Sequence, residues 1–589
     1  MIRTLAGRTS RLRVASTVFG PSSVAGTSMS GRVCRRARTA ESSRTGSVLI
    51  LVLVVVVLLS YSAYSFSELM IAEYAATSAL GDQIRTRALA ESGIDALAAA
   101  FDDLEGGNQI IGTDGEQRFR HQAVDADGHS VGRYSILQRL PSSEDHDVCF
   151  GPVDESSKLN LNALPLDNHR RTQSRNRLLA LPGMTDAIAD AILDWMDEDD
   201  ESSEFGAESE WYATLSPPRL PAQRRLNSLN ELLLIRGVTH ELLYGEDANQ
   251  NGRLDPNEND GARGEPSDNA DGKLDRGWVD LVTLHSREAA TPAGRPARIN
   301  VNRPELPELF DELESSLGDE AAQFIVAWRL AGSAFGSDSQ RVGSVSAGSS
   351  SNGFDAERRQ RRMESAHDRL RRQLGRDNVS SAEDAGQPET NAAALTGNEV
   401  VKAGINLSRK PAYAIRSVFD LIGTTVRIDV DRRDTVLKSP WAGDPGSVEQ
   451  AVALLENRLT TTDDEFIAGR INVNEAPRAI LRSVPGINES LAESILAGQR
   501  RARGNGEISR RHQTIAWLFV EGLVDLRQLR SLAPWLTTRG DVFRGISIGH
   551  IDGHRVTSTI EFLIDSSGDT TTILQLADQE PSALPVHSW

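Results

Sequence analysis

The chain has 589 residues, enough for two to four domains, with 39% apolar and 25% charged residues. Its net charge of −19 is unevenly spread: residues 1–46 carry nine Arg and one Glu, a net of +8, so the remainder carries −19 − 8 = −27. That balance excludes a bulk electrostatic grip on nucleic acid, and two cysteines, Cys34 and Cys149, exclude a disulfide framework.

The first element after the basic leader is Val48–Phe66, nineteen residues without a charge, Pro or Gly. A helical crossing of the hydrocarbon layer needs about 20 apolar residues rising 1.5 Å each. Arg-rich sequence before it predicts a single pass, with the bulk of the chain outside the cytoplasm. A cleaved secretory signal is the rival reading, but no small-x-small site follows closely and the run is long for a signal core. A buried core strand fits poorly at this length. Arg44-Thr45-Gly46 stands directly before Ser47 and the apolar run. This junction resembles the signal of prepilins and implies cutting between Gly46 and Ser47 by a membrane prepilin peptidase. Residues 67–105 lack Pro and place Ala90, Ile94, Leu97 and Phe101 on one helical face, with Leu80 and Ile84 as a similar pair further back. A helix from Ser47 to Phe101 would be about 80 Å long, half anchor and half amphipathic stem in need of a sheet.

Strand-like runs follow at Gly132–Leu137 and Lys158–Leu164, and an antiparallel meander is predicted over Val542–Ile548, Arg555–Asp565 and Thr570–Ala577. The stretch between is helical in pattern. The expected fold is therefore α+β, a long N-terminal transmembrane helix on a small antiparallel sheet with a large α-rich domain inserted in that sheet. The boundaries read as leader 1–46, helix and stem 47–105, first part of the sheet 106–165, and α-rich insertion 166–335. A Ser-, Gly-, Asp- and Arg-rich disordered segment 336–399, a second α-rich part 400–535 and the closing meander 536–589 complete the chain. One string recurs: Lys158-Leu-Asn-Leu-Asn, Arg298-Ile-Asn-Val-Asn, Gly404-Ile-Asn-Leu-Ser and Arg470-Ile-Asn-Val-Asn. Each predicts a short strand ending in an Asn turn that can cap a following helix.

Leu179–Trp195 and Ile480–Leu496 each read apolar helix, Pro-Gly hairpin, apolar helix, and resemble the helix–hairpin–helix module. Its DNA-binding form carries a second Gly two residues after the first, so that backbone N–H groups can approach a phosphate. Here those places hold Thr185 and Asn488, and the first hairpin runs into Asp194, Asp197, Glu198, Asp199, Asp200 and Glu201, which repel phosphate. A packing or partner-docking role is expected, and no nucleic acid.

Asp247–Glu258 fits the twelve-residue EF-hand loop: side-chain oxygens at Asp247, Asn249, Asn251 and Asp255, Gly252 at the turn, the Arg253 carbonyl, and a bidentate Glu258. That ring of hard oxygens predicts calcium. A second copy, Ser267–Trp278, offers Asn269, Asp271 and Asp275 but lacks the final Glu, and the Asp194–Glu210 cluster is a third oxygen-rich stretch. A solvated acidic loop is the bland alternative. No H-E-x-x-H, G-x-S-x-G, C-x-x-C or Walker loop is present, and His550 and His554 fall on a strand and its turn, so no enzyme is expected.

Taken in order, Gly46 before an apolar helix, K-L-N-L-N-A-L, A-D-A-I-L-D-W-M-D-E-D-D-E, G-A-E-S-E-W-Y, S-L-N-E-L-L, I-N-V-N-E-A-P and V-P-G-I resemble the minor pseudopilin K family of bacterial type II secretion systems. The resemblance covers most of residues 44–300 and 400–577. It implies a pilin fold with an inserted α-domain, bound calcium, and an inner-membrane subunit with a periplasmic bulk. It also implies a tip complex with minor pseudopilins of the I and J type above the major pseudopilin. The long leader, the 336–399 segment and the EF-like loop depart from the family pattern. The alternative is a minor pilin of a type IV pilus or DNA-uptake machine whose hairpins touch DNA.

Overall fold

The computed structural model describes residues 45–103, 115–126, 131–138, 150–167, 169–250, 254–261, 263, 268–291, 297–333, 400–431, 433–503, 511–554 and 556–579. Most of the leader, Cys34, Cys149 and the 336–399 segment lie outside them. The chain divides into two units, residues 1–76 and 77–589.

A single helix runs Thr45–Asp103. In the first unit its residues Val48–Phe66 are exposed along their whole length, and this helix is long and apolar enough to cross a membrane. In the second unit Ala90, Ile94, Leu97 and Phe101 are buried as their spacing predicts. Leu80 and Ile84 are not: they stand 58% and 64% exposed, because the sheet covers the helix only from about Thr86 onward.

That sheet is antiparallel, in the order Gln122–Ala126, Val131–Leu137, Val542–Ile551, Thr557–Asp565, Thr572–Gln579, with Val153–Asp154 pairing further along Val542–Ile551. The meander predicted at its C-terminal side is present. The helix lies close on it, since Gly549 brings the strand against Thr86 and Ala90, and Ser547 Oγ donates to the Ala90 carbonyl at 2.7 Å. Phe101 stacks on Phe543 with ring centroids 4.5 Å apart, and Ile136, Ile560, Phe562 and Ile564 fill the rest of this core.

The chain leaves the sheet at Asp154 and re-enters at Val542, so everything between is one insertion with its own larger core. Lys158–Leu164 belongs to this insertion rather than to the sheet. It forms only the two-residue strand Leu159–Asn160, which pairs in parallel with Val282–Thr283. The same closure recurs twice: Ile299–Asn300 pairs with Leu459–Thr460 and Ile471–Asn472 with Leu536–Thr537, both in parallel. The fourth string is different, Ile405–Asn406 forming a local antiparallel pair with Val401–Lys402.

These three closures delimit three modules of one plan. The second Asn of each string does not cap a helix. It reaches across the module: Asn162 Nδ2 donates to the Leu226 carbonyl, Asn302 Nδ2 to those of Ile415 and Thr461, and Asn474 Nδ2 to that of His512. Each module then folds a helical hairpin: Arg171–Leu178 with Asp186–Met196, Leu306–Leu317 with Asp319–Ala331, and Arg478–Arg482 with Glu489–Arg503. Gly183, Gly318 and Gly486 turn the three hairpins at φ +67, +91 and +97, where L-residues are strained. The middle hairpin lacks Pro-Gly, and the sequence pattern does not announce it.

Candidate metal centre

Gly46 and Ser47 lie in the first turn of the long helix, and Val48 and Phe66 bound its apolar run. In the EF-like loop, Asn251 and Arg253 lie outside the described residues. Asp247 is buried against Arg276, Oδ2 to Nε 3.1 Å, and Arg276 also holds Asp280 at 2.7 Å. Asn249 donates to Asp255 at 2.7 Å. Glu258 is buried and accepts from the Ala248 and Asp255 backbone N–H groups, each at 3.0 Å, as the second half of a capping box. In the second loop Asn269, Asp271 and Asp275 accept from the backbone N–H groups of Asp271, Lys273 and Gly277, each at 2.8 Å. Among the described residues, the carboxylates of these two loops do not come together as a ligand group.

Another set does. Asp194, Asp197 and Glu208 are buried and each brings a carboxylate oxygen within 4.8 Å of the others. The local sequence explains why. Thr185 caps the helix Asp186–Met196, whose buried face includes Ile188, Ala191, Ile192 and Trp195. Asp194 sits in its last turn and Asp197 at its C-cap, one turn apart and on one side. The acidic loop then folds back: Ser203 donates to Asp194 from its backbone N at 3.1 Å and from Oγ at 2.7 Å. Gly206 passes so close that a Cβ there would lie 1.7 Å from Asp194 Oδ2. Glu208 follows two residues later.

Compensation at the centre is incomplete. Arg171 forms ion pairs with both Asp194 and Asp197. Asp197 Oδ1 and both Glu208 carboxylate oxygens are buried without a hydrogen-bond donor. Burial pushes the Asp194 carboxyl up, and burial with the neighbouring Asp199 and Asp194 pushes Asp197 up to about 6 despite Arg171. Burial and the charges of Asp197, Asp194, Asp200 and Asp199 push Glu208 up to about 8. Orphaned buried carboxylate oxygens are costly unless a proton or a cation joins them. Three oxygen donors with this much negative charge fit a hard divalent cation, which Asp194, Asp197 and Glu208 would hold.

The other modules show that this is an addition to the plan. Counted from the helix starts at Thr185, Gly318 and Asn488, the places of Asp194 and Asp197 are taken by Ala327 and Leu330 in the second module and by Ala497 and Arg500 in the third. The shared plan recurs at the intervening place, where Arg329 donates to the Asn302 and Arg303 carbonyls and Gln499 to those of Val473 and Ala476. The sequence marked Asp194–Glu210 as oxygen-rich but did not single out this trio. The signal was D-x-x-D at one end of a helix with G-A-E behind it.

The hairpin N-termini offer a phosphate little. Thr185 Oγ1 accepts from Ile188 N and Asn488 Oδ1 from Leu491 N, with Asp186 and Glu489 in the first turns.

Residues 157–244 match the family model for type II secretion system protein K, first domain. The matched segment contains Arg171, Asp194, Asp197 and Glu208. No curated protein matches the chain in sequence. Among solved structures, the crystal structure of the GspK-GspI-GspJ complex from the type 2 secretion system of enterotoxigenic Escherichia coli aligns over 87% of this chain and 99% of that chain. It does so at 12% identity and a TM-score of 0.29, a likeness that carries no argument about arrangement.

Proposed function

We propose, from the protein K family match over residues 157–244, that the chain is a minor pseudopilin that caps the tip of a type II secretion pseudopilus. It supports protein export through protein–protein contacts rather than chemistry. The observation that supports the reading beside the family match is the stem: an exposed apolar helix continues into a face, Ala90 to Phe101, buried under an antiparallel sheet. In this reading Val48–Phe66 anchors the chain once in the inner membrane, the bulk is periplasmic, and a prepilin peptidase cuts after Gly46. Minor pseudopilins of the I and J type and the major pseudopilin are its partners. Deleting the chain from its host should abolish secretin-dependent export, and photocrosslinkers along residues 80–95 of the stem should capture other pseudopilins. Normal export after deletion, with no pseudopilin captured, would reject the reading.

Calcium is the cofactor proposed, at Asp194, Asp197 and Glu208, where it would neutralise the buried carboxylates and hold the acidic loop to the first hairpin. At Asp247–Glu258 it would first have to draw Asp247 from Arg276 and Glu258 from two backbone N–H groups. A cation that binds only the folded chain adds about 2.7 kcal/mol at a hundredfold excess over Kd. Calcium should therefore raise the melting temperature over that in chelator. Glu208→Gln should shrink the rise if the ion sits at the hairpin, and Glu258→Gln if it sits in the loop. No rise in the wild type would remove calcium from the account.

A further inference from the structure

We propose that Arg171 is the resident cation of the Asp194–Asp197–Glu208 centre, a guanidinium that a divalent ion must displace and that thereby sets the ion affinity. The inference rests on the cation reading of that centre. The helix Arg171–Leu178 and its N-cap carry four arginines, and their partners differ. Arg170 pairs with Asp167 at the surface, and Arg175 with Asp186 and Asp190. Arg177 is buried over the Trp535 ring. Arg171 alone reaches the centre, and it engages two of the three carboxylates with two different nitrogens, Nη2 on Asp194 and Nη1 on Asp197.

The position suits a displaceable group. The Asp194 and Asp197 side chains are 0% and 6% exposed, whereas that of Arg171 is 17% exposed, so the guanidinium comes in from the solvent side. No hydrogen bond joins Arg171 to Glu208, whose two oxygens keep no donor. One positive charge is thus set among three carboxylates, fixed on the two that a divalent ion would also need. Two cations on the same pair of carboxylates repel strongly in a partly buried site, so guanidinium and ion compete. The competition lowers affinity toward the weak range that suffices outside the cytoplasm. It also keeps the ion-free module folded, because Asp194 and Asp197 are never both left without a counter-charge.

The test is a calcium titration of the full chain in detergent, comparing wild type with Arg171→Gln and Arg171→Lys. Arg171→Gln should bind calcium at least about tenfold more tightly, since the competing charge is gone. Its melting temperature should fall below the wild type in chelator and rejoin it in saturating calcium. Arg171→Lys, which keeps the charge but not the two-pronged contact, should bind with an affinity between the two. Equal or weaker calcium binding by Arg171→Gln, with the wild type still binding, would overturn the competition and leave the calcium centre standing. Failure of Arg171→Gln to fold even in calcium would overturn it too, by making Arg171 a structural counter-charge that the ion does not replace. A wild type that binds no calcium, with Glu208→Gln indistinguishable from it, would remove both the competition and the centre.

Discussion

Asp154 and Glu155 are neighbours in sequence and both buried at the joint between sheet and insertion, yet their carboxyls move in opposite directions. Burial and the nearby Asp541 push Asp154 up to about 6, against hydrogen bonds from Ser156 and Asn472. Burial acts on Glu155 as well, but Lys158 and Arg544, at 2.8 and 3.0 Å, overcome it and hold the carboxyl down at about 2. The consequences for stability differ in sign. Asp154 contributes fully below its ordinary value near 3.8 and loses that contribution as pH rises through about 6. Glu155 contributes fully above its ordinary value near 4.5 and loses it as pH falls through about 2. This pair therefore favours the fold most at about pH 4–5. Melting temperatures between pH 4 and 7 should show a downward contribution that Asp154→Asn abolishes. Glu155→Gln should leave that window alone and flatten the acid limb. An unchanged slope in Asp154→Asn would place the proton elsewhere.

At the scale of elements, the contact of stem with sheet depends on the bare backbone of Gly549. A Cβ there would lie 1.9 Å from the Thr86 carbonyl oxygen and 2.6 Å from Ala90 N, both backbone atoms of the helix. Gly549→Ala should therefore cost about 3 kcal/mol or more in urea unfolding, at or above the upper end for overpacking. Gly568→Ala, where the nearest atom is 3.7 Å away, should change little. An effect of Gly549→Ala below about 1 kcal/mol would mean that helix and strand separate without loss. The elements differ in how far the sequence announced them, for identifiable reasons. Two hairpins were legible because Pro182-Gly183 and Pro485-Gly486 interrupt apolar helices, while the middle one turns on Gly318 alone between Leu317 and Asp319. The apolar alternation Ile560, Phe562, Ile564 in Thr557–Asp565 marks the face that packs into the stem core and was readable, whereas Leu159–Asn160 has partners more than a hundred residues away. The loop at 247–258 has the spacing of an ion site, but spacing alone could not show that Arg276 folds back onto Asp247. The trio at the first hairpin needed the return of Gly206 beside Asp194, a tertiary contact that one helix's pattern does not contain.

For the molecule as a whole, the long apolar segment Val48–Phe66 makes a further prediction. Counting from Ser47, the fifth residue is Leu51, and no acid appears before Glu68. A carboxylate within the hydrocarbon would be costly unless paired with a charge on the subunit ahead. A subunit with Leu there asks for no such partner and suits a leading position. Cysteines along the stem should therefore crosslink to pseudopilins on one side only, and crosslinks between copies of this chain, or on both sides, would contradict a tip position. With −27 outside the leader, calculated as −19 − 8, the protein should also fail to retard duplex DNA at physiological salt. Salt-sensitive retardation at micromolar concentration would favour the DNA-uptake alternative. The sheet carries one more consequence, which concerns time. Val131–Leu137 pairs with Ile546–Ile551, partners separated by the whole insertion. Contacts this distant in sequence close late, after local structure has formed. As the chain is synthesised from its N-terminus, the three modules can fold while Ala90, Ile94, Leu97 and Phe101 still wait for their cover. Only the arrival of Val542–Ile551 makes the stem whole, so the helix face and its cover are brought together last. A chain stopped after Asp541, past the last module closure at Leu536–Thr537, would hold folded modules on an unfinished stem, marked for proteolysis by the apolar face that a finished subunit hides.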